Sequence, residues 1–167
     1  MPEVTEIPAE RREDPAYLRT NGEDGYRDGC RVPIPWTDDA ATNYGFSSSA
    51  GKLAWLPQPI SWSNYCINLQ QVDPNSSLKF YQRALKLRKE LANLGDGTLS
   101  WIDNESADYL AFTRGDLIIA TNTSGTTQKI NVPANSQLRL ASDDAVSLQA
   151  TQLVLPADTA AWLQFTL

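Results

Sequence analysis

Histidine is absent from the 167 residues of this sequence, and the absence removes several common kinds of chemistry. Ser-His-Asp and Cys-His nucleophile systems need an imidazole base, and many transition-metal sites need imidazole ligands. The two cysteines, Cys30 and Cys66, are too few for a disulfide framework and lack the close spacing of a zinc site. We therefore expect two buried thiols, no metal, no cofactor and a cytoplasmic protein.

Clusters of basic residues and long apolar runs are also missing. The chain carries 14 Lys and Arg against 20 Asp and Glu, which gives a net charge of −6. Nucleic acid and anionic membrane surfaces bind clusters of positive charge, so we expect neither as a partner. No apolar run approaches the roughly 20 residues that cross a bilayer. The hydrophobic fraction of 41% is nevertheless enough for a globular core.

The segment Tyr26–Trp36, with the sequence YRDGCRVPIPW, combines charged residues with two prolines and a tryptophan. Gly29 permits a backbone turn that other residues disfavour. Pro33 and Pro35 fix their own φ angles and favour extended conformations at the residues before them. This pattern predicts a rigid loop that loses little entropy when a ligand binds the side chain of Arg27.

The residues from 1 to 73 show little apolar periodicity. Residues 1–24 are polar and contain three prolines, so we predict a loop with one helical turn. Residues 25–73 contain three tryptophans and several prolines. This composition is typical of a long irregular segment that needs a partner surface to become ordered.

Apolar residues recur at helical spacing after Pro74. Asn75 or Ser76 can cap this helix at its start, and Gly95 can end it. The residues on its predicted apolar face are Phe80, Ala84, Leu87, Leu91 and Leu94, and the residues predicted to widen that face are Leu78, Tyr81 and Leu85.

Beyond Gly97 the apolar period falls to two, and short runs alternate with turn residues such as Gly115-Asp116 and Ser124-Gly125. This spacing predicts an antiparallel β-sandwich. The seven predicted strands are Thr98–Asp103, Tyr109–Arg114, Leu117–Asn122, Gln128–Val132, Gln137–Ala141, Gln152–Leu155 and Ala161–Leu167.

Two further patterns are weaker as functional signals. The acidic pairs Asp38-Asp39 and Asp143-Asp144 are adjacent in sequence, so their side chains need not converge, and we interpret them as solvated surface acids. The triplet that begins at Asn122 fits the glycosylation acceptor pattern, which arises often by chance.

The loop resembles the RDGCR-x-P-x-P-W segment of α-glucosidases of the α-amylase superfamily (glycoside hydrolase family 13, oligo-1,6-glucosidase-like group). The resemblance is specific for residues 26–95 and only positional for the strands. The other residues that follow the order of that family are Gly45-Phe46, Trp55-Leu56-Pro57-Gln58-Pro59, Trp62, Asn68, Gln71, Asp73 and Ser76.

The resemblance implies a mixed fold. Residues 1–96 would be the loop after the last strand and the final helix of a (β/α)₈ barrel, and residues 97–167 an all-β antiparallel sandwich. Most of the barrel, which needs about 250 residues, would be missing. In that family the nucleophile, the acid/base and a third acid lie on earlier barrel strands. We therefore expect no catalytic residue here and an inactive isolated chain.

Arg27 is the candidate substrate-binding residue. The resemblance implies that it reaches the buried end of the pocket and donates to a hydroxyl of the non-reducing glucose. The alternative is that it pairs with a neighbouring acid, Asp28, Asp24 or Glu23, and only holds the loop. For Arg31 we predict a structural hydrogen bond to the backbone.

Three interpretations follow from the sequence. The chain is the C-terminal part of a retaining α-glucosidase that acts on the non-reducing end of oligosaccharides, a non-catalytic carbohydrate-binding or accessory module, or a structural domain that covers a barrel. We favour the first combined with the third, because a self-sufficient module has no use for a barrel-closing loop. The expected partners are an oligosaccharide in the parent enzyme, the missing barrel domain and, for the isolated chain, a second copy bound through residues 26–95.

Overall fold

The structure, a computed structural model, describes residues 3–48, 51–91, 97–102 and 108–166. The chain divides into two compact units, Met1–Phe80 and Tyr81–Leu167. The predicted positions that lie outside the described residues are the domain boundary at 96, Leu94, Gly95, Asp103 and Leu167.

The first unit consists of short helices joined by irregular segments. Helix α1 begins at Pro15, where a missing N–H leaves no hydrogen bond unmade, and Asp14 caps it by accepting from the N–H of Ala16 at 3.0 Å. The helices are α1 (Pro15–Arg19), α2 (Ile67–Val72) and four 3₁₀ turns, Ala9–Arg11, Arg27–Cys30, Ala40–Thr42 and Ile60–Tyr65. Thus the described residues 3–24 contain two helical elements where the sequence predicted one turn, and α2 was not predicted.

The core of the first unit joins the N-terminal residues to the Tyr26–Trp36 loop. The N–H of Val4 donates to the carbonyl of Gly29 at 3.3 Å. A Cβ on Gly29 would lie only 2.2 Å from the backbone carbonyl oxygen of Val4, so this close approach excludes any larger residue. The glycine is therefore needed for packing and not for the special backbone turn that the sequence suggested. The buried apolar residues of this core are Val4, Ile7, Val32, Leu56 and Trp62.

Helix α3 covers Ser77–Glu90, and its start confirms one of the two predicted caps. Ser76 Oγ accepts from the N–H of Lys79 at 3.2 Å, so Ser76 is the capping residue. On the predicted apolar face, Phe80, Ala84 and Leu87 are half-buried and Leu91 is buried, which confirms the face as far as the structure describes it. The predicted widening of this face is wrong for Tyr81 and Leu85, which are exposed, whereas Leu78 is half-buried.

The second unit contains two antiparallel sheets. Their strands are β1 (Leu99–Trp101), β2 (Tyr109–Arg114), β3 (Leu117–Asn122), β4 (Gln128–Asn131), β5 (Gln137–Ala141), β6 (Ser147–Gln149), β7 (Gln152–Leu155) and β8 (Ala160–Gln164). One sheet has the strand order β1-β2-β3-β8-β5 and the other β4-β7-β6. Gly115, at φ +58°, makes the predicted tight turn between β2 and β3.

All seven predicted strands are present, and four of them have the predicted bounds. Strand β6 was not predicted. Leu117 and Ile118, which are adjacent on β3 and so point to opposite faces, are both buried, which shows that this strand is covered on both sides. The apolar core shared by the two sheets consists of Ala111, Ile118, Ala120, Ile130, Val132, Val146, Leu153, Leu155, Ala161 and Leu163.

Candidate functional site

Arg27 is held along one edge by Asp14. Arg27 Nε donates to Asp14 Oδ2 at 2.8 Å, and Arg27 Nη2 donates to Oδ1 at 2.7 Å. Asp14 is fully buried, but the side chain of Arg27 remains 63% exposed. Within the described residues Nη1 makes no hydrogen bond. The bidentate pair therefore fixes one edge of the guanidinium and leaves donors on the other edge for a ligand.

Asp14 also binds backbone groups. Its Oδ2 accepts from the N–H of Arg27 at 3.2 Å, and its Oδ1 accepts from the N–H of Ala16. The hydrogen bonds from the Arg27 guanidinium and from these two N–H groups hold the pKa of Asp14 well below its usual range, although burial acts in the opposite direction. The same hydrogen bond and charge raise the pKa of Arg27. Both groups are therefore charged at neutral pH.

Asp28 completes this arrangement from the loop side. Asp28 is buried, and its Oδ2 accepts from the N–H groups of Glu13 and Asp14, each at 3.1 Å. Arg31 Nη1 lies 3.6 Å from Asp28 Oδ1. Asp14 thus holds Arg27 while Asp28 holds the backbone beside Asp14. We call Asp14, Arg27 and Asp28 the arginine clamp.

Two details of the clamp differ from the sequence predictions. The partner of Arg27 is Asp14, which is not among the three neighbouring acids that the sequence suggested. The contact of Arg31 is the carboxylate of Asp28, where a backbone group was predicted. The Asp-Pro dipeptide at Asp14 signals a helix start, and this signal could have indicated a fixed carboxylate. It did not indicate which arginine that carboxylate would bind.

Aromatic side chains lie beside the clamp. The guanidinium of Arg12 lies over the rings of Tyr17 and Tyr26, 5.2 and 5.0 Å from their centroids. The two rings meet edge to face at 5.8 Å, and the hydroxyl of Tyr26 donates to the carbonyl of Gly22 at 2.6 Å. Since Tyr26 directly precedes Arg27, these contacts further restrict the backbone that carries the exposed guanidinium.

The acidic residues fall into two groups. Asp39 and Asp143, one from each predicted surface pair, are exposed, and each accepts a hydrogen bond from the backbone two residues later. The described buried acids, Asp14 and Asp28, have their oxygens engaged by arginine and backbone N–H groups. Retaining glycoside hydrolysis needs a nucleophilic carboxylate about 5 Å from a proton donor. In the clamp, the carboxylates orient an arginine instead.

Both cysteines are free thiols. Cys66 is buried as predicted, but Cys30 is exposed. A hydrogen bond with Glu3 and partial burial raise the pKa of Cys30.

Among the described residues there is no cluster of His, Cys, Asp or Glu able to hold a metal ion. In the same part of the chain, no helix combines the length and the apolar character that a membrane span requires.

Asn122, the first residue of the glycosylation-type triplet, is a buried structural residue. Its amide Nδ2 donates to the carbonyls of Thr126, Leu155 and Pro156 at 2.7–3.0 Å. Its Oδ1 accepts from the backbone N–H and the hydroxyl of Ser124. The amide thus ties β3 to the end of β7 and is enclosed in the folded chain.

Curated relatives match the chain over part of their length. An alpha-glucosidase of Schizosaccharomyces pombe is 32% identical over 114 residues, which cover 65% of this chain and 19% of the relative. An oligo-1,6-glucosidase of Parageobacillus thermoglucosidasius is 28% identical over 111 residues, 64% of this chain and 19% of the relative. The chain therefore spans about a fifth of the length of these proteins.

Solved structures match over nearly the whole chain. The alpha-glucosyl transfer enzyme XgtA superposes with a TM-score of 0.78 at 25% identity, covering 99% of this chain and 31% of XgtA. A MutB variant in complex with sucrose gives a TM-score of 0.76 at 20% identity, covering 99% of this chain and 34% of MutB. The chain thus has the fold of about one third of these barrel enzymes.

The family comparison covers the clamp itself. The family described as "Alpha amylase, catalytic domain" matches residues 2–97, which include Asp14, Arg27 and Asp28. This is more than half of the 167 residues. The chain therefore belongs to the alpha-amylase family.

Proposed function

We propose that this chain is the C-terminal part of a retaining α-glucosidase that hydrolyses α-glucosidic bonds from the non-reducing end of oligosaccharides. Residues 1–96 are, in this proposal, the loop after the last strand and the final helix of a (β/α)₈ barrel, and residues 97–167 are a β-sandwich. The family match to a catalytic domain and the two glucosidase relatives support the parent activity. The chain matches only about a fifth of the length of each relative, which supports its assignment as a part of a longer protein.

The main support for the proposal is that the side chain of Arg27 is held by Asp14 on one edge and exposed on the other. An arginine loses about 2 kcal/mol of rotamer entropy when it is fully immobilised. The bidentate bond to Asp14 restrains the side chain before any ligand arrives. The exposed edge can then donate to a hydroxyl of the terminal glucose with little further ordering, which is the general advantage of a preorganised site.

The reaction itself is divided between this chain and the rest of the barrel. The nucleophile and the acid/base come from the barrel strands that precede this part, and Arg27 binds and orients the sugar between them. The chain alone is inactive in this proposal. Exposed apolar residues in the first unit support a covering by the remaining barrel, because single soluble units rarely leave so many uncovered. They include Trp36, Phe46, Leu53, Trp55 and Ile60.

A chimera tests the proposal. We would join this chain to the N-terminal part of the S. pombe alpha-glucosidase and measure hydrolysis of an aryl α-glucoside. The chimera should be active and the chain alone inactive. Within the chimera, Arg27→Ala should lower kcat/KM roughly 10- to 100-fold, as expected for a hydrogen bond from a charged donor. Arg19→Ala, an exposed arginine on α1, is the matched control. Turnover by the chain alone, or an unchanged Arg27→Ala chimera, would contradict the proposal.

One observation favours the alternative of a carbohydrate-binding module. The side chain of Trp101 is 63% exposed on β1, and its ring meets that of Phe112 edge to face at 5.6 Å. Sugar rings pack well on such an indole face. Affinity electrophoresis in soluble α-glucan separates the two functions. Retardation that disappears in Trp101→Ala would favour the module, whereas equal mobility of both chains favours the glucosidase part.

A further inference from the structure

We propose that Asp14 is a positioning and specificity residue, which aims the free edge of Arg27 and makes the site select a neutral hydroxyl over an anion. The inference rests on the proposed function of Arg27 as a sugar-binding residue. It assigns a second residue to the site and states which ligand charge the site accepts.

The positioning part follows from where Asp14 holds the arginine. Its carboxylate binds Nε and Nη2 of the side chain and also the backbone N–H of the same residue. The side chain is therefore restrained at both ends by one buried group. An exposed carboxylate could rotate together with the guanidinium that it binds. Asp14 cannot rotate in this way, because its own carboxylate is fixed by the N–H of Ala16. The direction of Nη1 is thus set by the fold.

The specificity part follows from charge. An unpaired arginine binds phosphate well, because its donors match the oxygens of an anion. Here two of those donors already serve a carboxylate. Asp24 and Asp28 also act on the charge of Arg27, and Arg31 lies against Asp28. The negative field of these carboxylates opposes an approaching anion, whereas a sugar hydroxyl needs only one N–H and brings no charge.

The first test observes the wild-type chain. Nitrogen-15 NMR reports the exchange with solvent of each arginine Nε–H. The Nε–H of Arg27 should exchange much more slowly than that of Arg19, an exposed arginine in the same unit that serves as the internal control. Equal exchange rates would show that Asp14 does not hold Arg27 in solution, and the inference would fail.

The second test removes the charge of Asp14. Asp14→Asn and wild type would be titrated with inorganic phosphate and with methyl α-glucoside while the Arg27 signal is followed. Phosphate affinity at Arg27 should rise roughly fivefold in Asp14→Asn, the factor that a unit charge about 4 Å away imposes in water. Asp39→Asn, which removes another helix-capping carboxylate, should behave like wild type. A merely structural Asp14 would lower stability without changing this selectivity, so equal phosphate affinities would overturn the inference.

Two outcomes keep the inference separate from the proposed function. If Asp14→Asn fails to fold, the Nε–H exchange of wild-type Arg27 tests the positioning role. The charge effect is then tested with Asp24→Asn at an exposed position, which should raise the phosphate affinity at Arg27 by a smaller factor. If the clamp and its selectivity hold but methyl α-glucoside leaves the Arg27 signal unchanged, the result counts against sugar binding and not against the role of Asp14.

Discussion

Arg11 and Trp55 exchange hydrogen bonds although 44 residues separate them in the chain. Arg11 Nη1 donates to the carbonyl of Trp55 at 3.2 Å, and Trp55 Nε1 donates to the carbonyl of Arg11 at 3.0 Å. The indole of Trp55 is exposed, yet its polar atom is committed to the protein. Trp55 therefore holds the N-terminal segment at Arg11 in place, and it is a poor candidate for stacking on a sugar.

Trp55→Phe should loosen the N-terminal segment. The substitution keeps an aromatic ring but removes the donor to Arg11, at a cost of about 0.5–1.5 kcal/mol. Amide hydrogen exchange in residues 9–12 should become faster. Trp36→Phe is the control, because the bonds that the structure shows for Trp36 involve its backbone. Equal exchange in the two variants would contradict the role given to Trp55.

Asp14→Asn should reduce stability in a pH-dependent way. The pKa of Asp14 is depressed in the folded chain, so its charge stabilises the fold above its unfolded pKa, about 3.9. This stabilisation is lost as the pH falls through the folded-state pKa. Urea unfolding should show a large gap between wild type and Asp14→Asn at neutral pH that narrows in strong acid. A gap that stays constant with pH would mean that the charge of Asp14 contributes nothing.

Asn122 should tolerate neither truncation nor a charge. Asn122→Ala leaves the buried carbonyl of Leu155 without its donor and should cost about 1–3 kcal/mol. Asn122→Asp places a carboxylate against three carbonyls, so it should be more destabilising at neutral pH and recover in acid, where the carboxyl is protonated. Thermal unfolding measures both. Exposed Asn135→Ala should shift the melting temperature less, and a larger shift there would contradict the assignment.

The isolated chain should self-associate through residues 26–95. Large apolar side chains such as Leu53 and Ile60 are more than four-fifths exposed, and each contributes roughly 1.5–3 kcal/mol when fully buried. Sedimentation velocity should show a mass that falls on dilution. Ile60→Glu should shift the chain towards monomer, whereas Thr127→Glu, an exposed position in the second unit, should not. A wild-type monomer at every concentration would be the contrary result.

The sequence predicted the second unit well because its strands are short runs rich in apolar residues that are separated by turn residues. Strand β2, for example, ends at the turn formed by Gly115 and Asp116, and its predicted bounds are the observed ones. Strand β6 was missed because Leu148 is its one apolar residue, so alternation could not show it. Its pairing with β7, from Ser147↔Val154 to Gln149↔Gln152, is what makes it a strand.

The sequence predicted the candidate site only in part. The loop that carries Arg27 stood out because its two prolines are a local signal, and the binding role of Arg27 came from the resemblance of this loop to the glucosidase family. Asp14 did not, because its importance comes from burial against a residue 13 positions away, and no local pattern encodes that distance. Helix α2 was missed for a related reason, since tertiary contacts override weak local propensity in such short elements.

The arginine clamp closes short loops, because its hydrogen bonds join residues only 13 to 15 positions apart. The entropy of loop closure rises with loop length, so such contacts can form before distant strands meet. In a protein that emerges from the ribosome from its N-terminus, Arg27 can reach its final orientation while the sheets of the second unit are still being synthesised. The orientation of Arg27 would then be reached during synthesis, before the second unit has folded.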